Sequence, residues 1–270
     1  MTKIGVIGCA GRMGRTICQS VVDDQESILA GGTERPGHDA IGQSLSLIVS
    51  DGGWNGDAPT ITDDLSKIIG DLDAIIDFSI PEASISNFDL AVESGTAIVI
   101  GTTGFSVTQT DHINSKSLKG RCVMAPNMAV GVNLMFKLVA EAAKAIGNDY
   151  DMEILDIHHN KKKDAPSGTA VRLAEICARE TDRDITKVGK YGREGNEGER
   201  PKDEIGVMTF RAGDVVGEHT VMFAGPGERV EISHKAGSRS NFARGAVLAA
   251  KWISNQKPGL YDMQDVLGLR

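Results

Sequence analysis

The segment His158-His159-Asn160-Lys161-Lys162-Lys163-Asp164-Ala165-Pro166-Ser167-Gly168-Thr169 places two imidazoles and three ammonium groups directly before a helix start. Such a group can hold an anion and move a proton. Met152 to Ile157 is apolar enough for a strand, Pro166 turns Ala165 away from helix, and Ser167 is a good N-cap for a helix opening Gly168-Thr169-Ala170. The basic residues therefore fall on a strand-to-helix loop. Backbone N–H groups at a helix start bind carboxylate or phosphate, and Gly168 lets a ligand come close to the backbone. With Lys162 or Lys163 nearby, the loop reads as a carboxylate clamp. The run HHNKKK by itself fits a solvated basic face equally well; the Pro-Ser-Gly-Thr helix start favours a site.

A second constellation lies at the amino terminus. Lys3 to Ile7 is a short β-prone run ending at Gly8-Cys9-Ala10-Gly11-Arg12-Met13-Gly14, and Arg15 to Val22 has helical spacing. Strand, glycine turn and helix in that order form a variant of the dinucleotide fingerprint. Its glycines permit the tight turn, the approach to a pyrophosphate and close helix packing. A second β-prone run, Ser27 to Thr33, is followed by Glu34, twenty positions after Gly14, where a ribose-binding carboxylate is expected. Arg35 comes next. A carboxylate suits the ribose hydroxyls of NADH and a guanidinium suits the 2′-phosphate of NADPH, so either cofactor is expected to serve. An exposed Glu-Arg pair at a strand end is the plainer alternative.

These residues need a frame. Asp73 to Phe78, Ala97 to Ile100 and Arg121 to Ala125 read as buried strands, with Pro81 to Ser94 a helix between the first two. Alternating strands and helices predict an α/β fold with a Rossmann-type, doubly wound parallel sheet, whose ligands bind beyond the carboxyl ends of the strands. Gly8 to Gly14, Gly101-Thr102-Thr103 and Ala125-Pro126-Asn127-Met128 all fall at such ends. Residues 38–63 have no clear period and predict an irregular connection.

Beyond Asn127 the pattern changes to an amphipathic helix over Val132 to Ile146, the Met152 to Ile157 strand, the basic loop and a helix over Gly168 to Glu180. Glycine-rich, charged Lys187 to Lys202 reads as a mobile loop or an arm to a neighbouring subunit. Gly206 to Ala212, Val215 to Ala224 and Arg229 to Lys235 predict successive antiparallel strands joined at Gly213-Asp214 and Gly225-Pro226-Gly227. Asn241 to Ser254 is a closing helix returning to the first domain. The expected division is residues 1–126 with 241–270 for the dinucleotide, and 127–240 for an α+β substrate-binding and oligomerisation domain with an open mixed sheet.

A chain of 270 residues, 40% hydrophobic with eight prolines, is long enough for a substantial core. A formal charge of −8 argues against nucleic acid or an anionic membrane as partner. Cys9, Cys18, Cys122 and Cys177 form no CxxC pair and no apolar signal core or membrane-length run is present, so a cytoplasmic protein with free thiols is expected. No metal is expected, because His158-His159 lacks the i,i+4 spacing or cysteine companions of ligand sets. Neither Cys122 nor Cys177 has the local company of an acyl-enzyme nucleophile.

The glycine turn, Gly101-Thr102-Thr103-Gly104 and HHNKKKDAPSGTA together resemble the dihydrodipicolinate (4-hydroxy-tetrahydrodipicolinate) reductase family of lysine and diaminopimelate synthesis. Further family-like segments are Ile75-Asp77-Phe78, Tyr191 to Arg200, Arg211 to Asp214 with Gly217 to His219, and Gly227 to Arg229 with His234 to Ala236. The resemblance implies a Rossmann domain completed by the carboxyl-terminal segment, a sheet that builds a homotetramer, and NADH or NADPH as hydride donor to a small cyclic dicarboxylate. It implies His158 as catalytic histidine, Lys162 as proton donor, and His159, Gly168 and Thr169 on the substrate. Gly8, Cys9, Ala10, Gly11, Arg12, Met13, Glu34, Arg35, Gly101, Thr102, Thr103, Ala125, Pro126, Asn127 and Met128 fall on cofactor positions. Lys161 and Lys163 add charge around Lys162, and Met128 stands where the family often has an aromatic residue.

Hydride attack on the polarised ring would leave an enamine-like centre needing a proton. A lysine of ordinary pKa, about 10.4, is charged at neutral pH and can supply one, and an imidazole, at about 6.5, can relay it. The competing class is a nucleotide-sensing binding protein on the same fold without turnover, which would have no need of Lys162 beside a carboxylate clamp.

Overall fold

Strands that are apolar on both faces need helices on each side, and the amino-terminal half is built that way. In the computed structural model, which describes residues 1–49, 54 and 57–270, β1 (Thr2–Ile7) leads through α1 (Arg12–Val22), β2 (Ser27–Thr33), β3 (Ala74–Asp77), α2 (Pro81–Ser94), β4 (Ala97–Ile100) and α3 (Val107–Lys116) to β5 (Arg121–Met124). There follow α4 (Val130–Ile146), β6 (Asp151–His158), α5 (Gly168–Glu180), α6 (Ile185–Val188), β7 (Gly189–Lys190), β8 (Ile205–Arg211), β9 (Gly217–Gly225) and β10 (Glu228–Ala236). Then α7 (Ser240–Ile253), β11 (Gly259–Tyr261) and α8 (Met263–Val266) close the chain. Two units result: Met1–Val130 with Arg239–Arg270, and Gly131–Ser238. Part of the irregular connection expected over residues 38–63, namely 50–53, 55 and 56, lies outside the described residues.

The first unit carries a parallel sheet in the order β11-β5-β4-β3-β1-β2. Alternate residues serve opposite cores. Ile4, Val6, Ala74, Ile76, Ala97, Val99 and Val123 pack with Ile17 and Val21 of α1 and with Ala243, Ala246, Ala250 and Ile253 of α7. Ile7, Ile75, Ile98, Ile100 and Cys122 pack with Phe88 and Ala91 of α2 and Ile113 of α3. Helix α7 thus supplies half of one layer. The strand order reverses between β1 and β3, which is where a sheet of this kind opens its ligand crevice.

In the second unit the order is β10-β9-β6-β8-β7. Met152, Ile154 and Asp156 of β6 are buried, on the face covered by Ala170, Leu173, Ala174 and Cys177 of α5. The expectation of three successive antiparallel strands is corrected here. β8 runs parallel to β6, the two joined through α5 as a βαβ unit, and β9 returns antiparallel on the far side of β6. Only β9 and β10 form a hairpin. The link between β8 and β9 crosses the end of β6, where Ala212 N–H donates to the His158 carbonyl (2.9 Å) and Asn160 N–H to that of Gly213 (3.2 Å).

The stretch read as a mobile loop begins as α6 and β7, and its remainder is tied to β6. Arg193 reaches Glu153 at 2.8 Å and also pairs with Glu204, while Arg200 reaches Glu153 at 2.9 Å and Asp151 at 2.8 Å.

Candidate active site

β6 ends at His158, so the strand alternation that would oppose His158 and His159 stops there and His159 begins the loop. Two residues back on the same face, fully buried Asp156 is the hub of the surroundings. Its Oδ2 accepts from the Ser167 backbone N–H at 2.9 Å and from Arg211 at 3.3 Å. Its Oδ1 lies 2.8 Å from His158 Nδ1 and 3.3 Å from His219 Nε2. The His158 contact is off the line of a good hydrogen bond, so it is mainly electrostatic. Burial alone would raise the Asp156 carboxyl; His158, His219 and Ser167 outweigh it and hold the group well below the usual carboxylate range.

The rings of His158 and His219 meet edge-on with centroids 5.2 Å apart, and His219 Nε2 lies 3.0 Å from the Ser167 hydroxyl. His158 keeps 12% of its side chain accessible, enough for one edge to be reached. One atom each from Asp156, His158 and His219 falls within 4.8 Å of the others, a spacing that could hold a cation. The Arg211 guanidinium already neutralises this carboxylate, which disfavours a second positive charge.

The basic loop turns on His159, whose carbonyl accepts from Lys162 N–H (3.1 Å) and whose Nδ1 accepts from Lys161 N–H (3.2 Å). Half-buried Lys162 pairs through Nζ with Asp164 at 2.8 Å, and that hydrogen bond holds the Asp164 carboxyl below its ordinary value. Lys161 and Lys163 point into solvent. Arg211 fixes the far end of the loop by donating to the Asp164 carbonyl at 2.7 Å. Ser167 caps α5 through Ala170 N–H (3.2 Å), and at exposed Gly168 no heavy atom lies within 4 Å of where a β-carbon would sit. His158, His159, Lys162, Gly168 and Thr169 therefore belong to one strand end, loop and helix start. A dicarboxylate could be gripped there by charge and backbone, and given a proton.

In the first unit, Gly8 adopts a positive φ of 67°, and Gly11 stands at the N-cap of α1 with no side chain to cap it. A β-carbon at Gly14 would fall 2.0 Å from the Gly8 carbonyl oxygen, so only glycine allows this packing. Glu34 Oε1 accepts from Ala10 N–H at 2.8 Å and Oε2 from Arg35 N–H at 3.2 Å, which sets the carboxylate at the edge of the turn beside exposed Arg35. An uncapped helix start, a cradle without side chains and a neighbouring carboxylate together fit a dinucleotide.

Gly101 to Thr103 and Ala125 to Met128 follow β4 and β5. Gly101 is tight against Phe78, whose ring a β-carbon would enter at 2.3 Å. Cys9, Thr102, Ala125 and Met128 are buried as whole residues. Burial pushes the Cys9 thiol up to about 12. The Met128 side chain lies in the core, which moves its departure from the family pattern away from any ligand.

Asp156 escaped the sequence analysis, and Arg211, Gly217 and His219 in the second unit and buried Asp77 in the first stood there only in family-like segments, with no role at a site. Asp77 accepts from Ser79 N–H (2.8 Å), Asn87 (2.9 Å) and Thr102 (3.4 Å), and so steadies the loop after β4. For Asp156 a signal existed: Asp-x-His at a strand end puts both side chains on one face.

A Rossmann-type sheet with a dinucleotide cradle, joined to an α+β unit carrying a histidine–lysine cluster at a helix start, is the plan of a nicotinamide-dependent oxidoreductase. Comparison with known proteins narrows the class. The model described as dihydrodipicolinate reductase, N-terminus, matches residues 2–128, and the one described as dihydrodipicolinate reductase, C-terminus, matches 131–267. The chain belongs to the dihydrodipicolinate reductase family. Curated relatives named 4-hydroxy-tetrahydrodipicolinate reductase include those of Trichlorobacter lovleyi, 50% identical, and Geobacter sulfurreducens, 49% identical, each matched over 100% of both chains. Among solved structures, a dipicolinate-bound dihydrodipicolinate reductase from Paenisporosarcina sp. TG-14 shares the fold with a TM-score of 0.75 at 24% identity, over 98% of each chain. Among the described residues no helix is long and apolar enough to cross a membrane.

Proposed function

We propose that the chain reduces 4-hydroxy-tetrahydrodipicolinate to tetrahydrodipicolinate in lysine and diaminopimelate synthesis, with either NADH or NADPH, as a cytoplasmic homotetramer. The observation that carries the chemistry is the grouping of His158, Lys162 and the α5 start on one loop in a chain matched end to end by reductases of that name. The dinucleotide would be held by Gly8 to Met13, Glu34, Arg35, Gly101 to Thr103 and Ala125 to Met128, and it supplies the hydride.

The residues of the basic loop do the rest. The α5 start, with Gly168 and Thr169, receives one carboxylate of the ring, and Lys162 with His159 orients the other side. Once the 4-hydroxyl has left as water and hydride has added, the enamine carbon takes its proton from the Lys162 ammonium, and His158 returns a proton to the site. Asp164 holds the Lys162 ammonium in place until a substrate carboxylate competes for it.

Mixing the protein with NADPH and the cyclic product of dihydrodipicolinate synthase, and following nicotinamide absorbance, separates a reductase from a nucleotide-sensing protein, which would give no change. General acid catalysis contributes about 10²- to 10⁴-fold. Lys162→Ala is expected to lower kcat within that range while the Kd for NADPH is retained. Near-normal turnover in this variant removes Lys162 from the mechanism.

A further inference from the structure

A proton-handling His158 has two ring nitrogens, and the surroundings decide which of them is free to work. Asp156 faces Nδ1 at 2.8 Å through Oδ1. Its other oxygen accepts from Ser167 N–H at 2.9 Å and from Arg211 at 3.3 Å, which fixes the rotation of the carboxylate. The contact is off the hydrogen-bond line, but a full negative charge 2.8 Å from Nδ1 favours a neutral imidazole with its proton on that nitrogen and a basic Nε2. On the opposite edge of the ring, a β-carbon on Gly217 would come within 2.9 Å of Nε2; glycine there leaves that nitrogen its space.

We propose that Asp156 is a positioning residue for the reaction, fixing the tautomer and orientation of His158 so that Nε2 exchanges protons. The same carboxylate ties the α5 start through Ser167 and the basic loop through Arg211. The proposal rests on His158 being the proton-handling histidine. The other charged or titratable groups around the pair are Arg211 from β8 and His219 from β9, with His234 opposite His219 on β10. Burial and the neighbouring His219 hold His234 below its ordinary value, so it adds little positive charge near neutrality.

Asp156→Asn tests this sharply. The amide oxygen must take the place of Oδ2 to accept from Ser167 and Arg211, which leaves the amide NH2 facing His158 Nδ1. A donor then stands where an acceptor is needed, and the ring is driven to the Nε2–H tautomer. In ¹⁵N NMR spectra recorded on the alkaline side of the His158 titration, the native protein is expected to show Nδ1–H and the variant Nε2–H. The variant's kcat is expected to fall about 10²- to 10⁴-fold, with Kd values for dipicolinate and NADH within about threefold of native.

An unchanged tautomer, or a loss of dipicolinate binding as large as the loss of kcat, overturns the proposal, the second outcome marking Asp156 as merely structural. If the variant does not fold, the native spectrum decides, since Nε2–H there overturns it as well. His158→Ala separates the two levels. Full turnover in that variant defeats the catalytic reading of His158, whereas the tautomer change in Asp156→Asn still measures the hold of Asp156 on the ring.

Discussion

Glu34 and Arg35 sit side by side at the end of β2 yet differ in how firmly they are held. The Glu34 carboxylate is fixed by Ala10 N–H at the glycine turn, while Arg35 is exposed. A guanidinium free to reach a 2′-phosphate contributes a charge-assisted hydrogen bond worth about 1.5–3 kcal/mol, roughly ten- to a hundredfold in affinity. Arg35→Ala is expected to raise KM for NADPH by about that factor and to leave KM for NADH nearly unchanged; equal effects on both would refute the assignment. The place of this pair beside the glycine turn was legible in the sequence because its signals are local: a glycine turn, a strand, and an acidic residue at the right interval. Asp156 was not legible. Two of its partners, Arg211 and His219, stand far off in the chain, Arg211 55 positions further along, and no local pattern shows that β8 and β9 would flank β6. A buried carboxylate with two histidines and an arginine is a product of tertiary pairing, so only its Asp-x-His beginning could have been read beforehand.

The helix start at Ser167 is where an element acts in both folding and binding. The Ser167 hydroxyl caps Ala170 N–H and lies against His219, while its own backbone N–H is held by Asp156. Loss of such a cap costs about 1 kcal/mol, within a range of roughly 0.5–2. Ser167→Ala is therefore expected to lower stability by about that amount in denaturant unfolding, and to weaken dipicolinate binding by loosening the first turn of α5. Unaltered stability and binding would show that the cap is dispensable. At this scale the sequence was informative wherever periodicity was strong. The amphipathic α4, the apolar β3 and β4, and the Pro-Ser-Gly start of α5 were all anticipated, whereas α3 has too few apolar positions to show a stripe. Its one clear mark is the Ser106/Gln109 capping box at its start. β7 and β11 have two and three residues, too short for any pattern. The hairpin expected at Gly213-Asp214 failed because a turn signal says that the chain reverses, not which strand lies beside it afterwards.

The second unit as a whole has helix α5 on only one face of its sheet. Strand register places Leu155 and Ile157 of β6, Met208 and Phe210 of β8 and Met222 of β9 on the other face, beside Glu153, Thr220 and Glu218. Phe210 is 55% exposed in the single chain. A helix-free face that mixes exposed apolar side chains with carboxylates can be buried by symmetric self-association, which sets the same patch of a second copy against it. The homotetramer implied by the family resemblance would have its interface here. Phe210→Asp puts a carboxylate in that interface at little cost to the isolated fold, since the side chain packs little within its own chain. Its neighbour Arg211 points to the opposite face and keeps its bonds to Asp156 and Asp164. Sedimentation velocity is expected to show a tetramer for the native protein and smaller species for the variant. Association stabilises by mass action, so the native melting temperature should rise with protein concentration and that of Phe210→Asp should rise much less. An intact tetramer in the variant would move the interface to another surface, while the basic loop and its chemistry would stand as described.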